Sequence, residues 1–210
     1  MPADDRTLTH YEEHAPEMAA RFETAEMGRL HRLIRATLPQ GARMLELGCG
    51  SGRDAALALE AGYDVTATDG SLAMLEEARR LHPRLEGRLR HLSFPSPFPF
   101  ADGTFDAVLA VAALMHLPEP EIAAVVREVT RVLHSGGVLI LSVPGRRADV
   151  GDDSRDSRGR LFTMATESRW VELCREAGLA VESRCASQDR LGRDHVEWWT
   201  FVARRAEEAS

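Results

Sequence analysis

Met44-Leu45-Glu46-Leu47-Gly48-Cys49-Gly50-Ser51-Gly52-Arg53-Asp54 is the stretch on which the reading of this chain turns. Residues 43–47 are strand-like and stop at three alternating glycines; an Ala/Leu-rich segment over 53–61 follows and closes on Gly62, a usual residue just past a helix. The pattern is a strand, a tight turn and a helix, and glycine lets such a turn bend sharply and approach a ligand to contact distance. The spacing is G-x-G-x-G. A dinucleotide fingerprint needs a glycine where this chain has Arg53, and a phosphate loop needs a lysine. There is no lysine: all 26 basic residues are arginine. That absence also removes Schiff-base and lysine-nucleophile chemistry. Asparagine is absent as well, which excludes an N-glycosylation sequon and an Asn-Pro-Pro methylation signature.

The same alternation continues outward. Residues 64–69 are β-branched and end at Gly70-Ser71, after which Leu72, Leu75 and Ala78 mark the buried face of a helix capped by Ser71. Residues 88–94 read as a third strand, 95–104 as a Pro/Phe-rich loop, and 105–113 as a strand covered on both faces. Pro118 opens a helix with Ile122, Val125, Val126, Val129 and Leu133 on one side, stopped by Gly136-Gly137, and a strand follows over 138–143. The periodicity vanishes over 144–160, where arginines and aspartates alternate in a solvated, mobile loop or lid. A helix over 166–177 and two strands, 180–187 and 195–203, complete the pattern; residues 15–38 are helical, with Phe22, Leu30, Leu33, Ile34 and Leu38 toward the core. Alternating strands and helices predict an α/β, doubly wound, mostly parallel sheet with helices on both faces, and the final hairpin adds an antiparallel edge. Ligands in such sheets bind at the carboxyl ends of the strands.

Bulk properties bound the function classes. With 210 residues and 44% apolar content, one domain over 1–210 has a sufficient core: a helical cap over 1–40, a core over 41–144, the charged loop or lid over 145–162, and a last helix with hairpin over 163–205. The three cysteines lack a CxxC spacing, which argues against a disulfide framework or structural zinc, and no metal site is expected. With neither a signal-like segment nor a membrane-length apolar run, the expected location is the cytoplasm. A net charge of −7 disfavours non-specific attraction to nucleic acid.

Asp69 ends the second strand about 20 residues beyond the glycine turn, the usual place for a carboxylate that accepts the hydroxyls of a ribose. A ribose-bearing ligand without a required pyrophosphate fits this pair of features; the alternative is that the glycines only make a turn and Asp69 only caps a helix. Four segments in order, residues 44–54, Thr66-Ala-Thr-Asp-Gly-Ser71, Phe98-Pro-Phe-Ala-Asp-Gly-Thr-Phe-Asp106 and Leu114-Met-His-Leu-Pro118, resemble the motifs of class I S-adenosylmethionine-dependent methyltransferases. The resemblance spans about residues 11–205. It implies a Rossmann-like seven-stranded sheet with an antiparallel last strand, S-adenosylmethionine as cofactor, and methyl transfer by in-line displacement. It further implies that Gly48, Cys49 and Gly50 hold the methionine part and Glu46 supports the loop. Asp69 would take the ribose, with Gly70, Ser71 and Met74 around the adenine. Many relatives carry an acid after the third strand to bind the adenine amino group; here the place falls on Phe94, either a stacking residue or an ordinary core aromatic.

Since the cofactor brings an activated group, the protein can act by positioning, and a base helps only where the acceptor has a proton to lose. His116, just after the fourth strand, is the candidate base or substrate contact, or else a structural histidine. Tyr11 resembles the family's N-terminal tyrosine that covers the cofactor; Arg21 reaches the cofactor carboxylate or is a solvated surface charge. Arg146 and Arg147 in the charged loop are candidates for an anionic acceptor. His195, Glu197 and Trp198 are assigned to sheet packing. The expected function is methylation of an O, N or S atom of a small molecule, with tRNA or protein methylation and a non-catalytic cofactor-binding module as alternatives. Neither the acceptor nor the oligomeric state is legible.

Overall fold

The first glycine turn and the strands around it define the centre of the sheet. A computed structural model describes residues 5–189 and 191–207; the ends of the expected 1–210 domain lie outside the described residues. Three helices, α1 (Asp5–Glu13), α2 (Ala15–Glu23) and α3 (Gly28–Thr37), precede β1 (Arg43–Leu47), α4 (Arg53–Glu60), β2 (Asp64–Asp69), α5 (Leu72–Leu81), β3 (Leu89–His91), β4 (Phe105–Val111), α6 (Glu119–Val132), β5 (Leu133–Arg147), α7 (Glu167–Glu176), β6 (Leu179–Gln188) and β7 (Val196–Arg205). The sheet order is β3-β2-β1-β4-β5-β7-β6, with β7 antiparallel to both neighbours and every other pairing parallel. The last strand is therefore the antiparallel one, but it is not the edge: β7 inserts between β5 and β6.

Successive residues of the central strands feed opposite layers, as the two-residue repeat of a strand requires. Leu45, Leu47, Val108, Ala110, Leu139 and Leu141 pack with α6 and α7. Met44, Ala107, Leu109, Val138 and Ile140 pack with α3, α4 and α5. Each fully buried aliphatic side chain contributes about 1.5–3 kcal/mol, and burial on both faces explains why these strands read as continuous apolar runs.

Four departures from the sequence reading have local causes. The helix expected over 15–38 is broken after Glu23 into α2 and α3, and α1 precedes it, so the cap is three helices. β3 is only three residues long, leaving Phe94 in the loop beyond it. β5 extends to Arg147 because it keeps pairing with β7 as far as Val196, so Arg146 and Arg147 stand on a strand and not in a loop. The charged segment that follows is ordered rather than solvated and mobile. Val150 bridges Asp156 and Arg155 bridges Leu161, and Asp156 and Arg160 are both buried. Asp156 organises this strap: its Oδ1 accepts the backbone N–H groups of Arg158 and Arg160 at 3.0 Å, and its Oδ2 accepts the Arg160 Nε–H at 3.0 Å.

The cover formed by α1 and α2 is held differently from the rest. Its apolar contact is small, Ala15, Met18 and Ala19 against Met74. Polar ties do most of the joining. Glu12 accepts the N–H groups of Leu72 and Ala73 at 2.7 and 3.1 Å, satisfying two free donors at the start of α5. Ser51 donates to Glu23 at 2.6 Å, the Leu161 N–H donates to Thr7 at 2.8 Å, and Arg158 pairs with Glu17 at 3.2 Å.

Removing the carboxylate of Asp156 strands the buried Arg160 guanidinium, so Asp156→Ala is expected to cost about 3–5 kcal/mol. Replacing both partners, D156L with R160M, is expected to restore much of that loss. Thermal or chemical denaturation reads both values; a single variant as stable as the parent disproves the assignment of the strap to this pair.

Candidate active site

The carboxyl ends of β1, β2, β4 and β5 open into a cavity of about 800 Å³, beside the point where the chain turns from β1 toward β2 on one side and β4 on the other. Gly48, Gly50 and Gly52 all have positive φ, at 70°, 54° and 80°. A Cβ on Gly48 would stand 2.6 Å from that of Ala113, and one on Gly50 would meet the Phe22 ring at 3.2 Å. The turn is thus glycine for conformation and for space. The Cys49 N–H donates to the Thr68 carbonyl at 2.8 Å and ties the turn to β2.

Asp69 completes this corner. Its Oδ2 accepts the Gly50 N–H at 2.8 Å and its Oδ1 the Ser71 N–H at 2.9 Å, so one carboxylate clasps two turns. Burial raises its pKa above the usual carboxylate value, while the N–H groups of Ser71 and Gly50 oppose the shift. Glu46, at the end of β1, is buried and its Oε2 has no hydrogen-bond partner. Burial, reinforced by the charge of Asp54, pushes its pKa well up, with Arg53 opposing. A buried acceptor without a donor carries a cost of about 1–3 kcal/mol until something supplies one. A ligand ammonium entering beside the glycine turn would do so, and the amino group of S-adenosylmethionine has that chemistry. The residues present fit the cofactor.

Around the adenine position the candidates divide. Ser71 uses its hydroxyl to cap α5, accepting the Met74 N–H at 3.1 Å. Met74 is fully buried with its methyl group beneath Gly50. The Cys49 thiol is buried and its pKa is pushed up by that burial. Gly70 faces Leu8 of α1, and Phe94, half-buried, lines the cavity with its ring 6.0 Å from that of Phe98.

On the opposite wall, His116 ends a single 3-10 turn after β4. Its Nδ1 lies 2.7 Å from the Leu161 carbonyl, which can only accept, so Nδ1 carries the hydrogen. Nε2 is then free to accept the Tyr11 hydroxyl at 3.0 Å, and Arg160 donates to the Tyr11 oxygen at 3.2 Å. Burial lowers the His116 pKa to about 4, and the nearby Arg160 and Arg147 act in the same direction. Burial also raises that of Tyr11, against the opposing charge of Arg160. The ring is therefore neutral near pH 7, with both nitrogens engaged. Arg147 lies 3.8 Å over the Phe162 ring, and Phe162 in turn packs edge-on to His116.

Of the sequence-derived residues, the cavity gathers Tyr11, Arg21, Glu46, Gly48, Cys49, Gly50, Asp69, Gly70, Met74, Phe94, His116 and Arg147. Arg146 is excluded: neighbouring residues of β5 face opposite sides, and it pairs with Glu197 at 3.2 Å in solvent. The sequence reading missed Leu8, Asp189 and Arg193, and treated Trp198 as packing only. Trp198 lines the cavity and donates its indole N–H to Asp189 at 2.9 Å. The i,i+4 pairs Asp156–Arg160 and Asp189–Arg193 were visible as charge spacing but not as walls of a site.

Residues 45–141 match the family model described as "Methyltransferase domain". Over 147 residues the chain is 30% identical to the 2-methyl-6-phytyl-1,4-hydroquinone methyltransferase of Synechocystis, covering 68% of this chain and 45% of that protein. The chain spans about half the length of the curated relatives it matches. A Burkholderia thailandensis 1,6-didemethyltoxoflavin-N1-methyltransferase structure, with that compound and S-adenosylhomocysteine bound, superposes with a TM-score of 0.74 at 22% identity, covering 95% of this chain and 85% of that one. The [4+2]-cyclase SpnF superposes with a TM-score of 0.75 at 18% identity, covering 99% and 97%. With its sheet order, glycine turn and acidic strand ends, the chain belongs to the class I S-adenosylmethionine-dependent methyltransferase superfamily.

Proposed function

We propose that the protein transfers the methyl group of S-adenosylmethionine to a small-molecule acceptor in this cavity. The observation that carries the reading is the pairing of Asp69, clasped between Gly50 and Ser71, with the unpartnered Oε2 of Glu46 near the end of the adjacent strand, both lining the same cavity. The cofactor supplies a methyl group already activated by its sulfonium. Everything else is the work of this chain. Glu46 accepts from the ammonium group and the backbone of Gly48, Cys49 and Gly50 contacts the methionine part. Asp69 accepts from the ribose hydroxyls, and Gly70, Met74 and Phe94 surround the adenine with Leu8 above, while Ser71, fully buried and outside the cavity lining, only caps α5. Tyr11 covers the reacting end, and His116 holds Tyr11 rather than taking a proton. Alignment of this kind is worth about 7–11 kcal/mol of the barrier.

A small acceptor is favoured by the enclosure of the cavity, roofed by α1 to α3 and by β6 and β7, and by the net charge of −7, which gives no extended basic face for nucleic acid. The compounds for which these relatives are named, 2-methyl-6-phytyl-1,4-hydroquinone and 1,6-didemethyltoxoflavin, are small molecules too. No helix among the described residues is long and apolar enough to cross a membrane.

Calorimetric titration with S-adenosylhomocysteine tests the donor: micromolar affinity is expected for the parent, with a loss of at least about 100-fold in Asp69→Ala, since a buried charged acceptor makes two charge-assisted bonds worth about 1.5–3 kcal/mol each. Unaltered affinity in the variant would reject the ribose role. For His116, the folded ring binds a proton only below about 4, the unfolded one below about 6.5. Between those values protons favour the unfolded chain, so stability falls as pH drops from about 6.5 toward 4. Denaturation midpoints at pH 7 and pH 5 should differ less in His116→Gln than in the parent; an equal difference contradicts the neutral, buried ring.

A further inference from the structure

Eight arginines and five carboxylates line the cavity. Five of the eight are neutralised: Arg53 by Asp54, Arg147 by Asp149, Arg160 by Asp156, Arg193 by Asp189 and Arg184 by Glu167. Arg29 and Arg32 are exposed on α3, where water solvates them. Arg21 differs from both sets. It is half-buried in the last turn of α2, lines the cavity, and its guanidinium has neither a hydrogen bond nor an ion pair among the described residues. The charges nearest in effect are Arg193, Arg158 and Arg160, opposed by Asp189, all from the strap and the β6–β7 connection. Burial and then these like charges lower the Arg21 pKa. Among the described residues Asp189 acts on this guanidinium from a distance but none pairs with it, and its planar fork suits a carboxylate.

The second observation concerns bases. His116 has a donor on one nitrogen and accepts Tyr11 on the other. Asp189 holds Arg193 and Trp198, Asp54 holds His31 and Arg53, and Asp69 holds two backbone N–H groups. Of the five cavity carboxylates only Glu46, at the cofactor corner, and Glu26, exposed at the rim, keep an unengaged oxygen. A hydroxyl, thiol or ammonium acceptor has to shed a proton in a cavity where His116, Asp54, Asp69 and Asp189 are already engaged. An acceptor that arrives already deprotonated needs none.

We propose that the methyl acceptor is a carboxylic acid bound as its carboxylate, held by Arg21 against the apolar wall of Phe22, Leu191 and Trp198, and converted to its methyl ester. The inference rests on S-adenosylmethionine being the donor. A lone pair of one carboxylate oxygen forms the new O–CH3 bond while the C–S bond breaks, its electron pair passing to sulfur; sulfonium and carboxylate charges are consumed together and no proton moves. Attraction between these opposite charges is strong in a poorly solvated cavity. The neutral ester no longer satisfies Arg21, which favours its release.

The test uses the full chain saturated with S-adenosylhomocysteine, titrated calorimetrically with benzoate, cinnamate and octanoate and with their carboxamides. At least one acid is expected to bind tenfold or more tightly than its amide. Arg21→Gln should erase that preference, Arg21→Lys should retain part of it, and both should bind S-adenosylhomocysteine within about twofold of the parent. With methyl-labelled S-adenosylmethionine, the preferred acid should acquire label that mild alkali releases as methanol. The proposal is overturned if no acid outcompetes its amide, if the label is stable to alkali, or if Arg21→Gln weakens S-adenosylhomocysteine tenfold, which would assign Arg21 to the donor's own carboxylate. Failure of S-adenosylhomocysteine to bind the parent would instead reject the donor assignment on which the proposal stands.

Discussion

Two backbone N–H groups, from Gly50 and Ser71, converge on the carboxylate of Asp69, and the site is built outward from that clasp. It joins the turn after β1 to the turn after β2 at the place where the sheet changes direction. Because both donors are main-chain groups, the clasp fixes backbone and not merely side chains. The glycines can then hold their positive φ values with Phe22 and Ala113 packed against them. The half-used carboxylate of Asp69 and the orphaned oxygen of Glu46 are left facing the same space, and a site that binds a cation-bearing, hydroxylated ligand follows from what those two acceptors still lack.

How legible each part was depended on how local its determinants are. The glycine turn, the cap by Ser71 and the acid at the end of β2 are set within about 25 consecutive residues, so their chemistry shows in the spelling of the chain. The mostly parallel, doubly covered character of the sheet also followed, because buried parallel strands are uniformly apolar. What could not be read depends on partners far along the chain. Arg160 meets Tyr11 across 149 positions, and Leu161 meets Thr7 across 154. A run of alternating arginine and aspartate looks solvated until the helix that covers it is in place; only then does the Asp156–Arg160 pair become buried. The continuation of β5 through Arg147 likewise requires β7 beside it, which no property of residues 144–147 announces.

The cover over the cavity has a different physical character from the floor. The floor is two apolar layers packed on a sheet, whereas α1 and α2 lie on one small apolar cluster around Met18 and Met74 and a set of hydrogen bonds and ion pairs. Contacts of that kind exchange readily with water, and segments held by them belong to the low-stability end of a fold. A ligand that must enter beneath α1 needs such a cover, and Tyr11, tied to both His116 and Arg160, makes the cover's position and the shape of the reacting end a single variable.

The insertion of β7 between β5 and β6 has a consequence for the order in which the molecule is assembled. As the chain is made, β6 precedes β7, the strand it pairs with among the described residues, and the edge of β5 that β7 covers waits for the same later segment. Until residues 196–205 arrive, the nascent protein presents the unsatisfied hydrogen-bonding edge of β5, the hallmark of aggregation-prone intermediates. The strand that closes one wall of the binding cavity is thus also the one whose translation ends the chain's exposure to misassembly.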